Sequence, residues 1–496
     1  MTDAIEEPPQ ARQPRRDGRS PRKKHLVRLV SSRGRESGEP RKQQLDPSTR
    51  RELQRACCSR CVPVAKDCGC CVSQPQVRRV LVPVSGVLGE HLAGPQIRAV
   101  EFAKALSRSR KYEVTLASSD GTDGERDGVR VIAADRLRLL RESTSHDAIL
   151  SGSFPPYLLA CKSLHGFVAI TDQYDPHDHE IATKQQTHRQ RDRELRTRAA
   201  WQALQLRYAD IVLCASERQR AQLLRSRDSL PGSHSGAPDP VVIPFGIPDP
   251  PPPSARRPLH DHFPQLADED TLVLWWGSVW RWLDADTAVR AFATMADSRP
   301  DLKLVITAGR PPHSGSERFY NAAAEVRALA ADLGVLGRTV LFLDEWIPYD
   351  QRHDYLREAD IGLTLHRHAD EARLAARARY MDYLSAELPC VLGRGDETAE
   401  EFSAAGFATL LDGPSPSDLA AALLALADDP GRLPAARAAG HSLAAQHRWS
   451  AVGAKLSETI AAASVRRPAP RRAALGLLGH TGAYYARRIP HRVLAP

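Results

Sequence analysis

The chain is predicted to be an α/β protein with two parallel sheets, each covered by helices on both faces. Short apolar segments alternate with stretches of helical spacing over most of its 496 residues, which is the pattern of strands joined by crossover helices. The alternation stops at a proline-rich segment, residues 244–258, and then starts again. Because so many prolines fit neither a helix nor a central strand, this segment predicts a boundary between two similar domains.

Strands and helices are predicted on each side of this boundary. The strands before it are Arg79–Val84, Tyr112–Ser118, Val129–Ala133, Ala148–Gly152, Phe167–Thr171 and Ile211–Ala215. The strands after it are Thr271–Trp276, Leu304–Ala308, Val340–Leu343, Ile361–Leu365, Cys390–Gly393 and Thr409–Leu411. The helices include Pro95–Ser107, Thr183–Tyr208, Ser417–Ala427, Gly431–Gln446 and Val452–Ala463. We therefore predict an N-terminal domain over 77–250 and a C-terminal domain over 258–465, between disordered tails at 1–76 and 466–496.

Positive charge is concentrated in the tails. Residues 1–55 hold 15 Lys and Arg against 8 Asp and Glu, and residues 466–496 hold seven Arg and no acid. Since the whole chain carries only +9, the part between the tails is mildly acidic, which argues against nucleic-acid binding by the domains. No apolar run of membrane-spanning length and no secretory signal is present, so we expect a cytoplasmic protein. The arginines of 466–496 surround an apolar stretch, which predicts weak peripheral contact with the inner face of the membrane.

Six of the nine cysteines lie between Cys57 and Cys71. Cys58 and Cys61 have the two-residue spacer of a zinc or iron–sulfur site, but the spacing of the others is irregular. A cysteine-rich linker in a reducing cytosol explains the same residues and is the interpretation we favour.

A glycine-rich turn follows the first predicted strand. It ends in Gly94-Pro95-Gln96-Ile97-Arg98, where proline suits the first position of a helix and free N–H groups attract anions. The glycine spacing is not that of a dinucleotide-binding loop. A loop that simply requires small residues explains the turn equally well.

A second group of polar residues runs from Thr171 to Glu180. Its acids and histidines could bind a metal, but Pro176 breaks the helical face that would gather them. Because the group follows a predicted strand, we expect Tyr174, Asp175 and Glu180 to line a cleft and contact an acceptor or sugar hydroxyls. Further along the chain, Ser216 is predicted to cap a helix.

A third group contains Arg377, Arg379 and Asp382. A carboxylate binds vicinal hydroxyls, and guanidinium groups bind a diphosphate in bidentate fashion. We expect Asp382 to begin a helix, and Arg373 and Arg377 to share a helix face because they are four residues apart. A charged, solvated helix face explains the same residues.

Four segments together resemble the family-4 glycosyltransferases of the GT-B fold, over about residues 77–465. They are Gly94–Arg98, Tyr174–Pro176, Cys214–Arg220 and Trp275–Asp284. The resemblance implies two Rossmann-like domains facing a cleft, a nucleotide-sugar donor held mainly by the second and an acceptor held mainly by the first. It implies retention of anomeric configuration, no required metal and no cofactor.

The resemblance also implies roles for individual residues. The donor side would comprise Gly277, Ser278 and Arg281 near the diphosphate with Arg377 and Arg379, the backbone of Glu345, Trp346 and Ile347 at the base, and Asp382 at the ribose or sugar. The acceptor side would comprise Gly94, Pro95, Arg98, Tyr174, Asp175 and Glu180. Asp382 and Asp175 would be the catalytic pair.

Two positions depart from the family pattern, and they keep other functions open. Leu374 stands eight residues before Asp382, where the family has an acid, and the nearest acid is Glu371. The usual Arg and Lys after the first turn are also out of register. The alternatives are a binding or scaffold protein on a degenerate GT-B fold, a sugar-nucleotide epimerase, and a metal-dependent hydrolase acting through His177–Glu180.

Overall fold

The computed structural model describes residues 78–463, except for 85–87, 120–121, 176, 184–185, 231–237, 253, 310–321, 368 and 414. These residues belong to one compact unit, Pro75–Pro496. The predictions for the tails 1–76 and 466–496, for the Cys57–Cys71 cluster and for membrane contact fall outside the described residues. No described helix is long and apolar enough to cross a membrane.

The first sheet is built from the N-terminal half of the chain. Its strands are β1 (Arg78–Val84), β2 (Tyr112–Ser118), β3 (Gly124–Arg126), β4 (Val129–Ala133), β5 (Ala148–Ser151), β6 (Val168–Asp172), β7 (Ile211–Cys214) and β8 (Val241–Val242), in the order β3-β4-β2-β1-β5-β6-β7-β8. The pairs are parallel except β3 with β4. The helices are α1 (Gly94–Arg108), α2 (Arg136–Ser143), α3 (Pro156–His165), α4 (His177–Thr183), α5 (His188–Tyr208) and α6 (Glu217–Asp228).

The second sheet is wholly parallel. Its strands are β9 (Thr271–Trp275), β10 (Leu302–Thr307), β11 (Val340–Leu343), β12 (Ile361–Thr364), β13 (Cys390–Gly393) and β14 (Ala408–Leu411), in the order β11-β10-β9-β12-β13-β14. The helices are α7 (Pro258–His262), α8 (Ala285–Met295), α9 (Ala323–Asp332), α10 (Arg352–Glu358), α11 (Ala369–Leu374), α12 (Ala378–Ser385), α13 (Glu397–Ala404), α14 (Pro416–Ala427), α15 (Arg432–Ala444) and α16 (Trp449–Ala461). Most strand residues are buried on both faces, as parallel sheets require.

The α/β class and each predicted strand are confirmed, with shifts of one or two residues at the ends. The sequence did not predict β3 and β8. The three residues of β3 are mostly exposed and include no apolar side chain, and β8 has only two residues, too few to show a pattern. The single helix predicted over Thr183–Tyr208 is wrong at its start, because α4 ends at Thr183 and α5 begins at His188 with Thr187 as its cap.

The chain crosses between the two sheets twice, and the two crossings lie side by side. The Ile247 amide donates to the His447 carbonyl at 2.8 Å, and the Trp449 amide donates to the Ile247 carbonyl at 2.9 Å. After the second crossing, α16 packs on α1, and the Tyr112 hydroxyl donates to the Ser457 carbonyl at 2.9 Å. The last helix, which was predicted within the domain 258–465, thus covers the first sheet. The division of the chain into two domains stays a prediction.

The Arg98 side chain makes hydrogen bonds and ring contacts to several elements of the first half of the molecule. It is fully buried; its Nε and Nη2 donate to the two carboxylate oxygens of Asp172 at 2.6 and 3.0 Å. The remaining donors reach the carbonyls of Ile243 and Pro244 at 2.8 and 3.0 Å. Its guanidinium carbon also lies within 6 Å of three ring centroids, those of Phe102, Tyr174 and Phe245. Arg98 therefore joins α1, the end of β6 and the start of the first crossing.

We predict that replacing Arg98 by Leu destabilises the protein by about 3–5 kcal/mol, because it leaves the buried Asp172 carboxylate without a partner. The matched control is Arg338→Leu, since the Arg338–Asp297 pair is largely exposed and should contribute no more than about 1 kcal/mol. Urea unfolding of the three proteins measures both effects. Equal midpoints for Arg98→Leu and Arg338→Leu would contradict the central position of the buried pair.

Candidate functional site

The carboxyl ends of the two sets of strands approach each other. A methyl group at Gly94, where α1 begins, would lie 3.7 Å from the Tyr174 hydroxyl and 3.8 Å from the Ala378 Cβ of α12. The Tyr349 amide, after β11, donates to the Glu90 carbonyl, after β1, at 2.9 Å. In open parallel sheets ligands bind at this edge, so the cleft between the two edges is the candidate site.

A glycine turn follows β9 on the second side of the cleft. Gly277 has a φ of +79°, which favours glycine. Its amide donates to the Thr307 hydroxyl at 2.6 Å, and the Ser278 hydroxyl donates to the Gly309 carbonyl at 2.7 Å. These bonds fix the turn against the ends of two neighbouring strands.

The Arg379 guanidinium lies directly on this turn. Its Nη2 donates to the Ser278 carbonyl at 3.1 Å, and a methyl group at Gly277 would come within 3.4 Å of the same nitrogen. Its Nη1 has no hydrogen-bond partner among the described residues. Burial lowers the pKa of Arg379 to about 10, an effect that Tyr383 opposes and the charge of Arg377 reinforces. A cation with an unused donor and no paired carboxylate is suited to bind an anion.

The other two arginines predicted at the diphosphate are already paired. Arg377 Nη2 donates to the Glu371 carboxylate at 2.5 Å, and both side chains are buried. Arg281 Nη2 donates to Glu325 at 2.5 Å. Because these partners compensate the charge, the structure distinguishes Arg379 from Arg377 and Arg281.

The Arg377 neighbourhood contains two further perturbed groups. Burial raises the pKa of Asp396 to about 6, and the Arg377 charge opposes this. Burial lowers the pKa of His366 to about 4, and here the Arg377 charge adds to the effect. The expected shared helix face of Arg373 and Arg377 is wrong, because α11 ends at Leu374 and Arg377 stands at the N-cap of α12.

Asp382 lies within α12 rather than at the start of a helix, which corrects the sequence expectation. Its carboxylate accepts a hydrogen bond from Arg352 Nε at 3.1 Å and from Trp276 Nε1 at 3.0 Å. Burial raises its pKa, and Arg352 opposes the shift. Arg352 in turn lies 3.6 Å from the centroid of the Tyr349 ring. The Asp382 carboxylate therefore links α12 to Arg352 and to Trp276 at the edge of the cleft. Its contact with a ribose or sugar stays a prediction.

The segment predicted to hold a nucleotide base follows β11. A methyl group at Gly309 would collide with the Glu345 carbonyl and would lie 2.7 Å from the Trp346 nitrogen, so this glycine permits the two loops to touch. The Glu345 side chain is mostly exposed, and Trp346 and Ile347 are partly buried. The close contact with Gly309 therefore fixes the position of the backbone at Glu345 and Trp346.

On the first side of the cleft, two predicted residues are more buried than expected. Arg98 does not line the cleft, since its donors are used within the protein. Tyr174 is 9% exposed, and its ring packs against both the Arg98 guanidinium and the Phe245 ring. Asp175 and Glu180 are partly buried and follow at the end of β6 and in α4. Pro95 occupies the first turn of α1 as predicted.

Contacts between the two sides were not apparent from the sequence. The Glu397 carboxylate accepts from the amides of Glu217 and Arg218 at the start of α6, at 3.0 and 2.6 Å, where a helix favours negative charge. Arg218 Nη2 also donates to Glu400 at 2.7 Å. Ser216 caps the same helix through the Gln219 amide at 3.2 Å, as predicted. In a chain this rich in arginine, no local signal separates Arg218 or Arg352 from the rest.

The alternative of a metal site at His177–Glu180 finds no cluster of metal ligands among the described residues. Within the described residues, no group of three or more His, Cys, Asp or Glu side chains could hold a metal ion. The side chain of His177 is not among those that the structure describes.

Comparison with known proteins gives one curated relative to consider. The D-inositol 3-phosphate glycosyltransferase of Thermobispora bispora is 32% identical over 192 residues, which are 37% of this chain and 42% of the relative. The match thus spans less than half of that protein's length. No protein-family model matches the chain.

Solved structures share the architecture over nearly their whole length. Sucrose-phosphate synthase from Thermosynechococcus elongatus matches with a TM-score of 0.58 at 16% identity, covering 77% of this chain and 98% of that one. Anabaena HepE in complex with UDP-glucose gives 0.58 at 14% identity, with 77% and 99% covered. WaaG, a glycosyltransferase involved in lipopolysaccharide biosynthesis, gives 0.57 at 14% identity, with 77% and 100% covered. The GT-B fold is thereby confirmed, and the partial match to a glycosyltransferase agrees with the resemblance seen in the sequence.

A buried histidine beside the site makes stability depend on pH. Burial and the charge of Arg352 lower the pKa of His353 to about 3, and its Nε2 lies 3.0 Å from the Ser385 hydroxyl. The folded state therefore stays unprotonated at this position while the unfolded chain binds a proton below about pH 6.5. Stability is lost as the pH falls from about 6.5 towards 3.

We predict that lowering the pH from 7.5 to 5.0 costs about 2 kcal/mol through His353, since one pKa unit corresponds to about 1.4 kcal/mol. His353→Gln should remove this part of the pH dependence, whereas His441→Gln, at an exposed site, should not. Urea midpoints of the three proteins at both pH values test the prediction. An unchanged pH dependence in His353→Gln would refute it.

Proposed function

We propose that the protein is a glycosyltransferase that moves a sugar from a nucleotide-sugar donor to a hydroxyl-bearing acceptor. The observation that carries the proposal is the Arg379 guanidinium at the carboxyl end of β9. Its Nη2 lies on the Gly277–Ser278 turn, and its Nη1 has no partner among the described residues. The GT-B fold and the partial match to a D-inositol 3-phosphate glycosyltransferase support the same activity.

The donor diphosphate would bind beside the glycine turn and the Arg379 guanidinium that lies on it. Gly277 has no side chain to block the approach of a phosphate, and the guanidinium supplies positive charge that no described carboxylate pairs with. As the glycosidic bond to the diphosphate breaks, negative charge grows on the departing nucleoside diphosphate. A fixed cation stabilises that charge more than it stabilises the ground state, which is the condition for catalysis.

The rest of the donor would extend along the same edge. The backbone at Glu345, Trp346 and Ile347 would hydrogen-bond the base, and the Asp382 carboxylate would bind the ribose or the sugar beside its two protein donors. Arg352 and Trp276 would keep that carboxylate ionised and oriented. Asp175, at the end of β6 across the cleft, would face the acceptor.

We further propose that transfer retains the anomeric configuration and requires no metal. In this arrangement Arg379 supplies the charge that a divalent ion supplies in metal-dependent phosphate chemistry. The cytoplasmic location and the weak membrane contact of residues 466–496 stay predictions from the sequence.

A second candidate is a nucleotide-binding protein without transferase activity. Leu374 favours it, because it occupies the position eight residues before Asp382 where the resemblance implies an acid. Hydrolysis or transfer of a nucleotide sugar by the purified protein separates the two candidates, since the second binds the donor without consuming it.

We predict that nucleoside diphosphates stabilise the full-length protein through Arg379. A ligand at a hundred times its dissociation constant adds about 2.7 kcal/mol of stability, which a thermal-shift assay detects. Arg379→Gln should weaken this binding by about ten-fold or more, because a charge-assisted hydrogen bond contributes about 1.5–3 kcal/mol. Arg373→Gln, at an exposed position on α11, serves as the control. Equal shifts in all three proteins would remove Arg379 from the donor site.

We also predict that activity survives removal of divalent metal. Product formation from a nucleotide sugar should be unchanged after treatment with EDTA, because charge stabilisation is assigned to a side chain. The measurement is the release of nucleoside diphosphate with and without chelator. Loss of activity that magnesium or manganese restores would count against the metal-independent mechanism.

A further inference from the structure

Tyr349 lies between the two sides of the cleft. It follows β11 and the segment predicted to hold the base, and its amide donates to the Glu90 carbonyl, after β1, at 2.9 Å. The loop that provides this carbonyl is itself fixed, because Arg126 Nη1, at the end of β3, donates to the Leu88 and Gly89 carbonyls at 3.0 and 2.9 Å. The Tyr349 backbone is therefore bonded to a loop of the first half that β3 holds in place.

The Tyr349 ring lies against the Arg352 side chain. The guanidinium carbon of Arg352 is 3.6 Å from the ring centroid, and Arg352 Nη1 donates to the Tyr349 carbonyl. A guanidinium is attracted to the face of an aromatic ring, and the attraction is stronger where water is excluded. Arg352 is only 5% exposed, so Tyr349 limits the positions that this guanidinium can take.

The position of Arg352 in turn decides how the Asp382 carboxylate is held. Arg352 Nε donates to one carboxylate oxygen at 3.1 Å, and Trp276 Nε1 donates to the other at 3.0 Å. Trp276 belongs to the second half, whereas Arg352 contacts Tyr349, whose amide is bonded to the first half. One of the two bonds that orient Asp382 therefore depends on a contact across the cleft.

The charges near the Tyr349 hydroxyl come from both sides of the cleft. Burial raises the pKa of Tyr349, the Arg352 charge opposes the shift, and Glu101 of α1 and Asp382 add to it. The hydroxyl therefore stays protonated and can donate to a carboxylate. Glu101 is 4% exposed and accepts from Lys104 at 3.0 Å, so a fixed carboxylate of the first half lies beside the tyrosine side chain.

We propose that Tyr349 is a positioning residue of the donor site, which acts through Arg352 to orient the Asp382 carboxylate toward the donor ribose or sugar. The inference rests on the proposed function, because it concerns the same donor site. It makes donor binding depend on the bond between Tyr349 and Glu90, so that a nucleotide sugar binds most tightly when the two sides of the cleft are in contact. The tyrosine itself touches no substrate in this role.

The test measures dissociation constants of nucleotide sugars by titration calorimetry with the full-length protein. The probes are UDP-glucose, GDP-mannose and dTDP-glucose, and the one that binds the wild type most tightly is used for the variants. Tyr349→Leu and Tyr349→Gln remove the ring from Arg352 and should each weaken binding by about ten-fold, since a charge-assisted hydrogen bond to the donor is weakened. Tyr349→Phe keeps the ring and the backbone bond and should stay within about three-fold of the wild type.

A double-mutant cycle separates positioning from a general loss of structure. In an Arg352→Lys background the charge beside Asp382 remains, but the planar group that contacts the Tyr349 ring is gone. Tyr349→Leu should therefore weaken binding in that background by less than about two-fold. The matched control is Tyr112→Leu, at the start of β2 and bonded to α16 through its hydroxyl, which should lower the urea midpoint without changing the dissociation constant.

The outcomes distinguish this inference from the proposed function. Absence of nucleotide-sugar binding by the wild type overturns both. Wild-type affinity in the two Tyr349 variants that lack the ring, or an equal loss in the Arg352→Lys background, overturns the inference alone, because Tyr349 would then not act through Arg352. A loss of affinity in Tyr112→Leu as large as that in Tyr349→Leu also overturns it, since general destabilisation would explain both.

Discussion

The buried pair between Arg98 and Asp172 is the interaction on which the first half of the cleft depends. A fully buried guanidinium is stable only if its donors are satisfied, and here two carboxylate oxygens and two backbone carbonyls satisfy them. These hydrogen bonds hold α1 against the end of β6 and against Pro244 in the first crossing. The glycine start of α1 and the polar residues after β6 consequently lie at one edge of the sheet.

Charge compensation decides which groups of the second half remain available to a ligand. Glu371 neutralises Arg377, Glu325 pairs with Arg281, and Arg352 holds Asp382. Arg379 instead contacts the Ser278 carbonyl at the glycine turn, and no carboxylate among the described residues forms an ion pair with it. Three arginines that look equivalent in the sequence thus have different charge environments, because two of them form an ion pair with a carboxylate and one contacts a carbonyl.

The two halves are joined by polar contacts at the cleft rather than by a continuous apolar core alone. Gln219 bonds to carbonyls from both halves, and Glu397 caps α6 from across the cleft. These contacts hold Leu374 at the end of α11 and Glu397 at the start of α13 against the first half of the molecule.

The sequence by itself determined the elements of the fold and the edge at which the site lies. Buried parallel strands appear in the sequence as apolar runs, and prolines mark the first crossing. The strands were therefore predictable apart from β3, which has no apolar side chain, and β8, which has only two residues. Tertiary structure decided the rest. Arg98 was expected in the cleft and is buried, α16 covers the first sheet, and Asp382 lies inside a helix with two donors. These outcomes depend on contacts between side chains that are far apart in the chain. The local spacing of residues does not reveal such contacts.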